Sequence, residues 1–187
     1  MRRDELEHII RAAAIVAGHS DLVVVGSQAI LGQYPDAPAV LLFSQEADLY
    51  PRDHPEKAVE IDGALGDGSQ FHATFGYYAH GVGPETAKAP LGWQTRLVPV
   101  RVSAAIGKGE DATGWCLEAH DLVLAKCVAG RQRDWEFAEE ALRHGIVESA
   151  ELLRRVPDLP LPAQAREHLE VVLASVVARA GGFSKAT

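Results

Sequence analysis

Two carboxylates in the stretch SQEADLYP (44–51), Glu46 and Asp48, stand at i and i+2 just after the apolar run AVLLF (39–43). In an extended chain, side chains two apart point to the same side, so these like charges share a face. They repel each other there unless the face is solvated or a cation sits between them. Mg²⁺ suits the second case: it takes hard oxygen ligands, keeps several waters and completes its shell with phosphates. Upstream, Gly26-Ser27 lies between the β-branched run LVVVG (22–26) and QAILGQY. Such a turn offers backbone N–H groups to a phosphate and lets the ligand come close. It is equally a plain turn with Ser27 as a helix cap. Downstream, Lys126 interrupts an apolar helical pattern of Leu122, Val123, Leu124, Cys127 and Val128. Its ammonium either snorkels from the helix edge or points into a cleft. Asp134 stands near the start of the next helix, where a negative charge is favourable in any case. Arg131 and Arg133, with Arg96 and Arg101 elsewhere, could form a local basic patch.

Elements that would position these groups can be read from periodicity. Leu6, Ile9, Ile10, Ala13 and Val16 recur at helical spacing, so a helix runs from Asp4, its cap, to about Ala17 and ends at Gly18. LVVVG is a buried strand, and QAILGQY a short helix. AVLLF and ADLYP form one broken extended region or two short strands. Pro55 opens a helix over EKAVEIDGALG. FHATFGYYAHGV (71–82) reads as strands broken by turns, 85–92 as a loop, and RLVPVRV (96–102) as a strand that Pro99 places at an edge or bulge. GKGEDATG (107–114) reads as a linker. Helices follow over 117–130, 131–145, 148–156 and 163–182, the last with a stripe of Leu169, Val172, Leu173, Val176 and Val177. The fold class is thus α/β (α+β): a small mixed-sheet domain over 1–114, then a helical bundle over 115–187.

Composition narrows the classes of function. Apolar residues at 47 % and charged residues at 24 % fit a soluble globular chain. The net charge of −8 argues against indiscriminate nucleic-acid binding, though not against a local basic patch. MRRDELEHII places charges where an export signal needs an apolar core, and no apolar run is long enough to span a bilayer. Cys116 and Cys127 fall in interior sequence without a Cys or His pair at zinc-ligand spacing, so a cytoplasmic protein with reduced thiols is expected.

The order strand, Gly26-Ser27, short helix, then Glu46-x-Asp48 resembles the nucleotidyltransferase superfamily. More narrowly, SQEADL, GWQTRLVPV (92–100), WCLEAHDL (115–122) and HDLVLAKCVAGRQRDWEFAEEAL (120–142) are similar to the AbiEii-like nucleotidyltransferase toxins and their relatives. The resemblance covers about residues 20–145. It implies a nucleotidyltransferase-fold domain in which Gly26 and Ser27 hold the β- and γ-phosphates of an NTP. Glu46 and Asp48 hold Mg²⁺ or Mn²⁺, Lys126 and Arg131 approach the triphosphate, and Asp134 orients it or serves the nucleophile. It further implies transfer of a nucleoside monophosphate to an RNA (tRNA) or protein hydroxyl, and the toxin of a toxin–antitoxin pair with a cognate antitoxin as partner.

Two departures from that pattern leave alternatives open. The first acid is Glu46 where Asp is usual. The third carboxylate, sought on RLVPVRV, is absent, because that strand offers Val100 and Arg101. Glu110 and Asp111 lie nearby in a loop, which leaves Asp134 as the candidate base. The alternative function is therefore a catalytically silent nucleotidyltransferase fold acting as a binding or regulatory module. Tyr77, Tyr78 and His80 could line a base pocket, lie near the acceptor, or be packed strand aromatics. A third reading joins His72, His80 and His120 with Glu46 and Asp48 in a metallohydrolase, although no helix-borne two-His motif is present.

Overall fold

A computed structural model of the chain describes residues 1–104 and 110–182. Its centre is a five-stranded mixed sheet in the order β3-β2-β1-β5-β4. The strands are β1 (Asp21–Val25), β2 (Glu46–Pro51), β3 (Tyr78–Gly81), β4 (Val98–Val102) and β5 (Ala112–Cys116). β1 runs antiparallel to β2 and parallel to β5, β3 lies parallel to β2, and β4 antiparallel to β5. Pro99 lies on the outer strand β4, where the missing N–H is tolerated.

One face of the sheet is covered. Helix α1 (Arg3–Ala17) buries Leu6, Ile9, Ile10 and Ala13 and ends at Gly18 in the left-handed region. Its cap is Arg2, so Asp4 lies within the first turn, where it favours the positive end of the helix. Helix α3 (Ala58–Leu65), entered through a 3₁₀ turn at Pro55–Lys57, packs on β3, β2 and α1. Glycine allows this close packing: a Cβ on Gly114 would meet Ile10 Cδ1 at 2.4 Å, and one on Gly81 would meet the Ala58 carbonyl at 1.9 Å. Ala47, Leu49 and Ala79, all fully buried, belong to this face.

Three local expectations are corrected. AVLLF is not extended: Ala39–Leu41 form a 3₁₀ turn that buries Leu41 and leaves Phe43 84 % exposed. Apolarity alone did not make it a strand, because Pro38 enters the turn and only one of its side chains finds the core. FHATF is helix α4 (Gln70–Phe75), capped by the Ser69 hydroxyl and ended by left-handed Gly76, so only the later part of that region is strand. The linker reading of 107–114 lies partly outside the described residues, but Ala112–Gly114 belong to β5, and position 114 falls inside that strand.

The helices after β5 match the sequence pattern. They are α5 (Ala119–Ala129), α6 (Gln132–Arg143), α7 (Ser149–Arg155) and α8 (Ala163–Gly182), with α2 (Ile30–Gln33) earlier in the chain. Helix α8 lays Leu169, Leu173 and Val176 against α6 and α5, a stripe at helical spacing. A buried ionic cluster fixes α5. Arg96 grips Asp121 with both Nε (2.7 Å) and Nη2 (3.1 Å), and Arg155 Nη1 donates to Glu118 (2.6 Å) and Asp121 (2.8 Å). Thus GWQTRL and EAHDL meet in space as a clamp on the helix that carries Lys126. Among the described residues, no helix is long and apolar enough to cross a membrane.

Candidate functional site

The second face of the sheet carries the polar groups. Strand β2 alternates, so Glu46 and Asp48 point away from the covered face while Ala47 and Leu49 fill it. The parallel register sets Glu46 opposite Tyr78 and Asp48 opposite His80. All four side chains therefore share one face. His80 Nδ1 lies 2.8 Å from Glu46 Oε1 and 3.0 Å from Asp48 Oδ1, and Tyr78 donates its hydroxyl hydrogen to Glu46 Oε2 at 3.2 Å. Ser44 shapes the entry to β2: its hydroxyl accepts from Glu46 N, and its carbonyl accepts from buried Gln28 Nε2.

Gly26 ends β1 beside this group. Its φ of 69° suits glycine, and a Cβ there would lie 2.0 Å from Asp48 Oδ2. Position 26 thus lets the turn come up against the carboxylate. Ser27 does not cap a helix with its side chain, contrary to the sequence reading. It is the first residue of a 3₁₀ turn, Ser27–Ala29, whose cap residue is Gly26.

From the other side come α5 and α6. Lys126 Nζ reaches Asp134 Oδ1 at 3.2 Å and lies 4.7 Å from the centre of the Phe137 ring. Asp134, 4 % exposed, uses its other oxygen to accept the Arg131 N–H at the start of α6. Both carboxylate oxygens are therefore engaged. Gly26, Ser27, Glu46, Asp48, Lys126, Arg131 and Asp134 all line one cavity of about 590 Å³, together with His80 and Arg133. Part of the remaining wall is apolar, with Val40, Leu41 and Phe43 from the 3₁₀ turn and the residues after it, Leu122 and Ala125 from α5, and Phe137 from α6, while Ser44, Thr86, Glu136 and Glu140 add polar groups.

Electrostatics in the acid group are unbalanced. Burial, then the charge of Glu46 and a hydrogen bond with it, push the Asp48 carboxyl up to about 6, against a smaller opposite pull from His80. Burial works against a charge on His80, but the hydrogen bond and charge of Asp48, with those of Glu46, outweigh it and raise its pKa. Burial and the Glu46 charge raise the Tyr78 phenol. Two carboxylates with one imidazole, their ligand atoms all within 4.8 Å of one another, fit a divalent cation.

Other sequence expectations separate. RLVPVRV could not have supplied a third acid to the pair: β4 is the far edge of the sheet, with β1 and β5 between it and β2. The neighbour of β2 on the outer side is β3, and its residue level with Asp48 is His80. Of the three histidines in the metallohydrolase reading, only His80 meets the acids. His72 pairs with Asp67, and His120 lies between Glu118 and the Glu148 N–H. Tyr77 bonds His8 within an aromatic group on the covered side. Phe43 was missed because an apolar run reads as core; the pair of Pro35 and Pro38 before it was the available sign of a turn.

Comparison with known proteins gives a match to a family model. The model of a family described as "Nucleotidyltransferase of unknown function (DUF6036)" matches residues 4–158, well over half of the chain. No curated protein matches the chain, and no solved structure does.

Proposed function

The chain belongs to this family of nucleotidyltransferases, and on that premise we propose that it moves a nucleoside monophosphate from an NTP to a hydroxyl acceptor. One observation carries this reading: Gly26-Ser27, Glu46, Asp48 and Lys126, from three separate parts of the chain, line the same cavity. A divalent cation held by Glu46 and Asp48, Mg²⁺ or Mn²⁺, would supply Lewis-acid polarisation of the phosphates. The Gly26-Ser27 turn presents N–H groups and a hydroxyl to the β- and γ-phosphates, and Lys126 meets their charge from α5. Asp134 holds Lys126 in place. With both oxygens engaged, it serves as a positioning residue better than as a base. Arg131 and Arg133 add positive charge on the cavity wall. Val40, Leu41 and Phe43 offer an apolar wall to the base. The acceptor hydroxyl attacks the α-phosphorus in line and pyrophosphate leaves, so catalysis consists of positioning and charge stabilisation.

For the acceptor, the resemblance of SQEADL and of 120–142 to the AbiEii-like toxins supports an RNA, tRNA first, or a protein hydroxyl. It also supports a toxin role opposed by a cognate antitoxin. A second reading, a silent nucleotide-binding module, is favoured by one observation: the side chain level with Asp48 on the neighbouring strand is an imidazole and not a third carboxylate.

Melting curves with each NTP, with and without divalent metal, test the site. A ligand that binds only the folded chain at about 100 times its Kd stabilises it by roughly 2.7 kcal/mol. A metal-dependent rise that disappears in Asp48→Ala is expected. No rise with any NTP at millimolar concentration would sink the transferase reading. Transfer of α-phosphate label from the NTP to tRNA or to protein then identifies the acceptor, and binding without transfer selects the silent module.

A further inference from the structure

The third side chain at the acid pair has its own chemistry. His80 lies on β3 level with Asp48, on the same face as both acids, and its Nδ1 lies within 3.0 Å of an oxygen of each. Its ring is about half exposed on the cavity wall, so burial does not force it there. Nothing positive other than His80 pairs with either carboxylate among the described residues: Tyr78 gives Glu46 only a neutral hydrogen bond. On the Gly26 side the space against Asp48 Oδ2 is kept clear by the missing Cβ. Resting on the nucleotidyltransferase reading of this site, we infer that His80 stands where a third carboxylate would and is the third protein ligand of the cation, through Nδ1.

The ligand set then determines the metal. Mg²⁺ prefers an all-oxygen shell, whereas imidazole nitrogen favours first-row transition dications. Two carboxylate oxygens and one nitrogen select Mn²⁺, or a later ion of that row, over Mg²⁺. Two negative ligands, not three, also leave the loaded site with one less negative charge facing the triphosphate.

Pulsed EPR of the full chain with Mn²⁺ alone, without nucleotide, tests this. The expected result is nitrogen modulation from a directly bound imidazole, lost in His80→Asp while Mn²⁺ remains bound. His80→Asp restores an all-oxygen set and should shift the Mn²⁺-over-Mg²⁺ preference toward Mg²⁺ by about tenfold or more, and His80→Ala should weaken Mn²⁺ by at least about tenfold. His80→Ala, checked by its melting curve, stands in if the aspartate variant does not fold. Bound Mn²⁺ that needs Asp48 but shows no nitrogen coupling, or coupling that persists without His80, would overturn the role of His80 and leave the acid pair as the metal site. Absence of any Mn²⁺ or Mg²⁺ binding by the wild type would overturn the transferase reading as well.

Discussion

Glu118 and Asp121 at the start of α5 are surrounded by two guanidinium groups and an imidazole, whereas Glu46 and Asp48 on β2 share one imidazole. Asp121 is fully buried, yet Arg96 and Arg155 satisfy it on two sides. Burial alone would raise the Glu118 carboxyl, but hydrogen bonds from His120 and Arg155 hold it down to about 2. The Asp48 carboxyl moves the other way, to about 6. Burial acts on both regions, so the difference lies in how much fixed positive charge faces each pair. The first region is closed electrostatically and serves to place α5. The second is short of positive charge beside its two acids, which is the state that the cation proposed above would relieve.

The largest expected effect breaks the closed region. Asp121→Ala leaves Arg155 and Arg96 without their shared partner and should cost about 3–5 kcal/mol in urea unfolding. A loss under about 1 kcal/mol would show that the cluster does not hold α5. Lys126→Met strikes the open region instead. It should weaken NTP binding by about 10- to 100-fold, the worth of about 1.5–3 kcal/mol for a hydrogen bond to a charged group. Asp134 keeps its Arg131 N–H partner, so a titration calorimeter should register the change more than a melting curve does.

Asp48→Asn should reverse the usual sign of a core substitution. It removes a repelled carboxylate, so the metal-free chain gains about 1–2 kcal/mol while the metal and NTP responses vanish. The pH profile sharpens the comparison. Asp48 has a folded pKa raised above its ordinary 3.8, so its contribution is fully present below pH 3.8 and is lost as pH rises through about 6. The raised pKa of His80 acts in the same direction, toward lower stability as pH rises. Glu118 is depressed: its contribution is present above 4.5 and lost as pH falls toward 2. Unfolding free energy of the metal-free chain should therefore fall between pH 4 and 6.5, and that fall should flatten in Asp48→Asn. The smallest effect belongs to Phe43→Ala. Its ring is 84 % exposed, so stability should not move, while NTP affinity drops by about fivefold if the base stacks there. Equal affinity in the variant would remove Phe43 from the site.

Periodicity made much of this fold legible. α1, α5, α6 and α8 announce themselves by apolar residues at helical spacing closed by Gly18 and Gly130, and β1 by a β-branched run. Phe71–Phe75 and Ala39–Phe43 were misread because short apolar runs carry no period of their own. Ser69 capping α4 and Pro38 opening the 3₁₀ turn settled them, and each acts through local hydrogen bonding or φ, not hydrophobicity.

Which groups could do chemistry is legible along the chain. Glu46-x-Asp48 puts two acids on one face of any extended chain, and glycine at 26 permits a positive φ before the following turn. What meets them follows from the order of the strands and the docking of the helices. Strand order places β3, not β4, beside β2, so the acids face His80 and not a residue of RLVPVRV. The packing of α5 and α6 brings Lys126 to the cavity that Gly26 and Asp48 line, and engages both oxygens of Asp134 on the way. Spacing along the chain fixes the facing of near neighbours. The order of strands and the docking of helices depend on the burial of the whole core, which no short stretch encodes.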